Sequence, residues 1–432
     1  MAFKKDFIWC VGGAAAQQDG GACEGGKGLT IWDKPFIDGH IKNGDDCSVA
    51  CDHFHRWKED FKILKEIGVN TYRFSVCPAR IFPQDEFTVN GQGVRFYRDL
   101  VAELKRLHIE PIVTLYHWDL PMWLNGIGGW KNPKAIEWFE RYTETMVKAL
   151  SDTVQYWLTF NEPSIFVGLG YSAGVHAPFY QLPVRDIQTI SRNIMLAHGR
   201  SVKAIRKYAQ RTPKISFANA TGVVMPVAGK SEDCAYEASF DATKNGVFNA
   251  AWWADPMVLG KRVKGCDWLS DDDLQEICQP PDFMAFNAYS LECTEDFNCD
   301  YPGIPRTMMG WHITPDCLYY VSKYLYRRYG LPIMVTENGM ANVDMIFEDG
   351  RVHDPQRSEY LRTHIRGLKK ANDEGVPVIG YSCWSFMDNF EWAEGYEKRF
   401  GLVYVDYRTQ ERVVKDSAYT YREIIETNGN NL

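Results

Sequence analysis

No apolar run in this chain approaches the roughly 20 residues needed to cross a bilayer, so a membrane span is not expected. The excess of charge of one sign is also small. The 48 basic and 56 acidic side chains leave a net charge of −8, with no basic run able to track a phosphate backbone, which excludes nucleic acid as the expected partner. Pro-rich linkers, low-complexity tracts and short internal repeats are missing, so nothing marks a second domain. The expectation is one catalytic domain over residues 1–432.

Twelve cysteines are present but irregularly spaced, in a chain too large to need staples, which favours reduced thiols and a cytoplasmic location over a disulfide framework. The start, Met1 to Lys5 followed by Phe7 to Ala16, superficially resembles a secretory leader. Asp6 breaks its charge pattern and Gly12-Gly13 its apolar run, and the stretch reads as a first buried strand.

What the chain does have is 45% hydrophobic residues, enough for a large core, and 14% aromatics including fourteen Trp, which suit a core and also suit stacking against the apolar C–H faces of sugars. Short apolar runs lie at 7–15, 70–76, 111–116, 156–160, 214–219, 283–289, 333–336 and 376–384. Amphipathic stretches at helical spacing separate them, such as Trp57, Phe61, Leu64, Ile67 and Phe139, Tyr142, Met146, Leu150. Eight strand–helix alternations with almost wholly apolar strands predict an α/β fold, a closed parallel (β/α)8 TIM barrel. The longest irregular regions, roughly 163–190, 221–235 and 291–314, follow the fourth, fifth and sixth strands, where such barrels build a substrate mouth.

Polar residues that close apolar strands are therefore the candidates for chemistry. Strand four ends Thr159-Phe160-Asn161-Glu162-Pro163 and strand seven ends Val335-Thr336-Glu337-Asn338-Gly339. A single strand-end Glu is ordinarily a solvated loop carboxylate; two, each beside an Asn and a turn residue, point to a catalytic pair.

These two segments resemble the signatures of family 1 glycoside hydrolases, the β-glucosidase family. The resemblance runs from Phe7 to about Arg422, through Tyr72-Arg73-Phe74-Ser75, His117-Trp118-Asp119-Leu120-Pro121 and Trp384 to Trp392. It implies retaining hydrolysis of β-D-glucosides, with β-galactosides or β-fucosides as further substrates. Glu337 is then the nucleophile and Glu162 the acid/base, about 5 Å apart. At roughly that distance and an effective dielectric of about 20, the repulsion is ~3 kcal/mol, enough to raise the second group's pKa by about 2. By the same resemblance Arg73 and Tyr289 support Glu337, and Asn161 bonds the sugar 2-hydroxyl. Gln17, His117, Trp118, Trp384, Glu391 and Trp392 bind the glycone. The phospho-sugar branch carries Ser and Lys where Glu391 stands, so an unphosphorylated glycone is expected, an acid there repelling phosphate. The alternatives are a 6-phospho-β-glycosidase or a non-catalytic sugar-binding barrel.

No cofactor or metal is expected. Cys47, Cys51, His53 and His55 suggest zinc, but their spacing fits no ordinary finger and they read as structural. Gly21 to Gly28 approaches a phosphate loop but lacks the Ser or Thr for magnesium. Asn219-Ala220-Thr221 is a sequon of chance frequency. The family pattern is broken at Ala16, Cys77, Ser164 and Ala288, where larger residues are common. The aglycone and the oligomeric state are not legible.

Overall fold

A computed structural model describes residues 2–265 and 267–432. Eight parallel strands close on themselves in chain order: β1 (Ile8–Gly12), β2 (Thr71–Ser75), β3 (Glu110–Tyr116), β4 (Tyr156–Asn161), β5 (Lys214–Ala220), β6 (Met284–Asn287), β7 (Ile333–Asn338) and β8 (Val378–Cys383), with β8 pairing β1. The predicted TIM barrel is the observed fold. Each expected apolar run matches one strand: β1, β2, β6 and β8 are shorter than their runs, whereas β3, β4, β5 and β7 extend one or two residues beyond theirs. The first run splits, because Ala15–Gln18 already turn into a short helix, and Tyr289 and Trp384 lie just past β6 and β8.

Strands buried on both faces explain the near-continuous apolar runs. Ile8, Cys10, Ile112, Leu158, Ala218, Phe283, Ala285 and Met334 fill the barrel interior, while the outward residues of the strands pack on the helical ring. The helix His53–Ile67 buries Phe61, Leu64 and Ile67, and the helix Lys134–Leu150 buries Phe139, Tyr142, Met146 and Leu150, as their spacing predicts. Trp57 is only partly covered.

The register slips between Leu158 and Asn161, between Phe286 and Asn287, and between Val335 and Asn338. Bulges of this kind re-aim side chains, and these three sit at the ends of β4, β6 and β7 that carry Glu162, Asn287 and Glu337. Gly339 follows for a steric reason, since a Cβ there would come within 1.8 Å of the Trp384 carbonyl oxygen.

The thiols depart from expectation at one place. Nine described cysteines are free, but Cys293 and Cys299 are joined. A loop of this length needs little closure entropy, so the pair forms from local geometry rather than as part of a framework. Cys47, Cys51, His53 and His55 do not converge: their partners are the Trp32 and Asp388 carbonyls, Asp60, and Asp52 with Glu24. Among the described residues no helix is long and apolar enough to cross a membrane.

Candidate active site

The strand ends and their loops enclose a cavity of about 520 Å³, lined by His117, Trp118, Asn161, Glu162, Asn287, Tyr289, Glu337, Trp384, Glu391 and Trp392 among others. That is ample for a monosaccharide and part of its substituent. Both strand-end carboxylates are in it and both are buried, Glu162 at 7% and Glu337 at 4% exposure.

Their surroundings differ sharply. Glu337 accepts from Arg73 Nη1 at 2.5 Å and from the Tyr289 hydroxyl at 2.7 Å. Burial and the nearby carboxylates push the Tyr289 phenol well above its ordinary range, so it remains a donor at any working pH. Glu162 has no cation against it. Its hydrogen-bond donor is a neutral amide, Asn287 Nδ2 at 2.8 Å. Burial raises the Glu162 carboxyl to about 8, with the Glu337 charge second and Asn287 and Arg73 opposing. Loss of water is thus a larger cause of the rise than the repulsion expected from a separation of about 5 Å.

Arg73 sits at the third position of β2 rather than at its end, and reaches up the barrel interior from beneath the cavity. Its Nε donates to Thr114 Oγ1, Nη1 also to the Thr336 carbonyl, and Nη2 to Asn161 Oδ1 at 2.7 Å. Such a planar fork can serve three strands at once. Because Asn161 Oδ1 also accepts from Asn287 Nδ2 at 3.0 Å, the amide orientation is fixed and Asn161 Nδ2 must donate to His117 Nε2, 3.0 Å away. His117 is held neutral by burial and by Arg73. Its proton is therefore on Nδ1, which is buried without a protein partner, leaving one N–H for a ligand hydroxyl.

Gln17 does not line the cavity. Its Nε2 donates to Asn389 Oδ1, the Phe390 carbonyl and Glu391 Oε2 at 3.3 Å, while Oε1 is unmet. Glu391 does line it, and burial, then Glu337 and Glu162, raise its carboxyl to about 8. Near neutral pH it is mostly protonated, which removes the expected repulsion of phosphate. Trp118 stacks on Trp392 with centroids 4.6 Å apart, His117 lies parallel to Trp384 at 5.8 Å, and Trp118 Nε1 donates to the Asn161 carbonyl.

All eleven residues expected at the site thus converge on it, Gln17 and Arg73 from behind the wall. Asn287 was overlooked, although it closes the apolar strand Met284-Ala285-Phe286 as Asn161 and Glu162 close theirs. Also missed were Met309, Trp311, Glu292 and His176, which sit in loops with no periodic signal.

A parallel barrel with two buried carboxylates in unlike surroundings at its C-terminal face defines a barrel hydrolase of the glycosidic type. The chain belongs to glycosyl hydrolase family 1, whose model matches residues 1–430, and it is a glycoside hydrolase. It is 40% identical to β-glucosidase A of Thermotoga maritima, over 99% of this chain and 98% of the relative. It is also 40% identical to β-glucosidase A of Acetivibrio thermocellus, over 99% of each. A solved structure of the Thermotoga maritima β-glucosidase in complex with deoxynojirimycin superposes with a TM-score of 0.91 at 38% identity, covering 99% of both chains.

Proposed function

We propose that the chain, acting as one catalytic unit over residues 1–432, hydrolyses terminal non-reducing β-D-glucosyl residues with net retention, Glu337 being the nucleophile and Glu162 the acid/base. The observation that carries the assignment is the asymmetry of the pair. Arg73 and Tyr289 keep Glu337 an anion able to attack the anomeric carbon, while burial keeps Glu162 a proton donor for the leaving oxygen.

In the first step the C1–O bond breaks as Glu337 Oε forms an ester to C1 and the Glu162 proton passes to the departing oxygen. Esterification cancels the Glu337 charge, so Glu162 becomes the stronger acid, gives up its proton, and can take one from water. That water attacks C1, and Glu337 leaves as the carboxylate. Asn161 is the partner for the 2-hydroxyl, with Arg73 and Asn287 fixing its orientation. The glycone is bonded by His117 Nδ1 and the protonated Glu391, which Gln17 holds from behind the wall, and stacked by Trp384 with Trp118 and Trp392 alongside.

An unphosphorylated glycone is favoured on a new ground. Among the described residues no Lys or Arg lines the cavity, so a 6-phosphate has no cation to meet. β-Galactosides and β-fucosides are secondary substrates. Free thiols at nine described cysteines support a cytoplasmic location. A panel of aryl β-glycosides with and without 6-phosphate tests the substrate, glucoside preference being expected. Proton NMR of the first-formed sugar tests the mechanism: a β-anomer is expected, and an initial α-anomer rules retention out.

A further inference from the structure

The loop 291–314 forms one wall of the cavity through Met309 and Trp311, and Trp311 packs on Tyr289 at 5.1 Å between centroids. Its two limbs are tied at the base, where the Leu291 N–H donates to Thr314 Oγ1 at 2.8 Å. They meet again further out. There Cys293 and Cys299 on one limb face His312 on the other, with a sulfur or nitrogen donor of each residue within 4.8 Å of the other two.

A disulfide makes no use of a ring nitrogen aimed at its sulfur. His312 Nδ1 lies 3.4 Å from Cys293 Sγ. In a tetrahedral zinc site, with Zn–S near 2.3 Å and Zn–N near 2.0 Å, neighbouring sulfur and nitrogen donors stand about 3.5 Å apart. The opposite ring nitrogen, Nε2, lies 3.4 Å from Asp300 Oδ1. That nitrogen is buried and has no hydrogen-bond partner, so a small shift of Asp300 would let its carboxylate set the tautomer of a metal-bound His312 and strengthen it as a ligand. Asp300 is itself held by Arg306 at 3.2 Å. The side chain of His312 is only 12% exposed, so its ring is kept in place whether or not an ion is present.

We propose that, in the reduced protein, Cys293, Cys299 and His312 form a Cys2His site for a zinc-class divalent ion, oriented by Asp300 and completed by water. Reaching the dithiol takes two electrons and two protons, supplied by two thiols of the glutathione class that leave joined as their own disulfide. The ion then displaces both thiol protons, and the two sulfurs part to about 3.7 Å as they take up tetrahedral positions. The disulfide and the metal are mutually exclusive clasps on one loop, and both hold Trp311 against the cavity.

The test uses the full chain with Cys23, Cys234 and Cys266 changed to Ser, so that fewer thiols outside the site compete for metal. It is reduced with a phosphine, which becomes the phosphine oxide by taking oxygen from water and leaves two thiols. Zinc alone is titrated against a chromophoric chelator, and cobalt(II) reports ligand type by its thiolate charge-transfer band. One ion per chain with that band is expected, together with no binding to the oxidised protein. His312→Ala should weaken zinc at least tenfold with an unchanged thiol count, and Asp300→Asn by about tenfold. Zinc affinity equal in wild type and His312→Ala, or a pair that keeps its disulfide under reductant, overturns the proposal. The oxidised and reduced wild-type forms decide it even if a variant fails to fold.

Discussion

The two walls of the cavity are built on opposite principles. On the glycone side the polar atoms of Arg73, Asn161, Asn287 and Glu337 described above bond to residues on or just past other strands of the barrel, while Gln17 Oε1 and His117 Nδ1 are unmet. On the loop side Met309, Trp311 and Phe400 present apolar faces, and burial raises the Glu292 carboxyl above its ordinary range. Rigid strand ends can fix a transition state; loops can fix only which leaving groups fit.

Changes on the strand side should therefore strike kcat and changes on the loop side KM, in descending size. Glu337→Gly should lower kcat by at least ~10⁴-fold, and azide should restore turnover with an α-glycosyl azide as product. Ordinary activity in that variant would sink the nucleophile assignment. Glu162→Gln should cost about 10²- to 10⁴-fold on substrates with poor leaving groups and far less on activated aryl glycosides, measured as kcat/KM across a leaving-group series. In the wild type kcat/KM should fall as pH rises through about 8, where Glu162 and Glu391 lose their protons, and the limb should be shallower in the variant, where only Glu391 titrates.

The same group leaves a mark on stability. Its folded pKa is raised from 4.5 to about 8, so its contribution is full below 4.5 and is lost as pH rises through 8. Denaturant midpoints across that window should decline less in Glu162→Gln. Asn287→Ala removes the amide that bonds both Glu162 and Asn161 and should reduce kcat by about 10- to 100-fold, corresponding to ~1.4 to 3 kcal/mol, with KM little changed. At the small end, Trp311→Ala should raise KM a few-fold for bulky aryl glycosides and leave kcat within a factor of about two. A kcat loss as large as that of Asn287→Ala would erase the distinction between the walls.

The same contrast governs what could be read from sequence. Periodicity exposed all eight strands, and a strand end is also where a barrel must carry its polar residues, so Glu162 and Glu337 were legible from pattern, whereas the role of Asn161 beside them needed the family resemblance. Arg73, Tyr289 and the Trp384–Trp392 segment needed the family resemblance, because an inward-pointing Arg within an apolar strand reads as a packing oddity until its partners 41 to 264 positions away are known. The loop wall has no period at all. Trp311, Glu292 and the Cys293–Cys299 pair are brought together by tertiary folding of one irregular segment, and its cysteines looked like any others among twelve.

Glu162, Trp118 and Trp392 all hold left-handed backbone, with φ of 47°, 77° and 52°, a conformation that costs residues other than glycine of order 1 kcal/mol or more. All three stand on the cavity wall. The catalytic cleft is thus shaped against the preference of its own main chain, and random substitution has an easy way to relieve it. At the buried Trp118 and Trp392 the packing lost to glycine outweighs that relief, but glycine at Glu162 relaxes the backbone and removes a buried carboxyl while discarding the proposed acid/base. Left without selection for turnover, a lineage carrying this fold should drift first toward a protein that is firmer and catalytically silent, long before the barrel itself begins to fail.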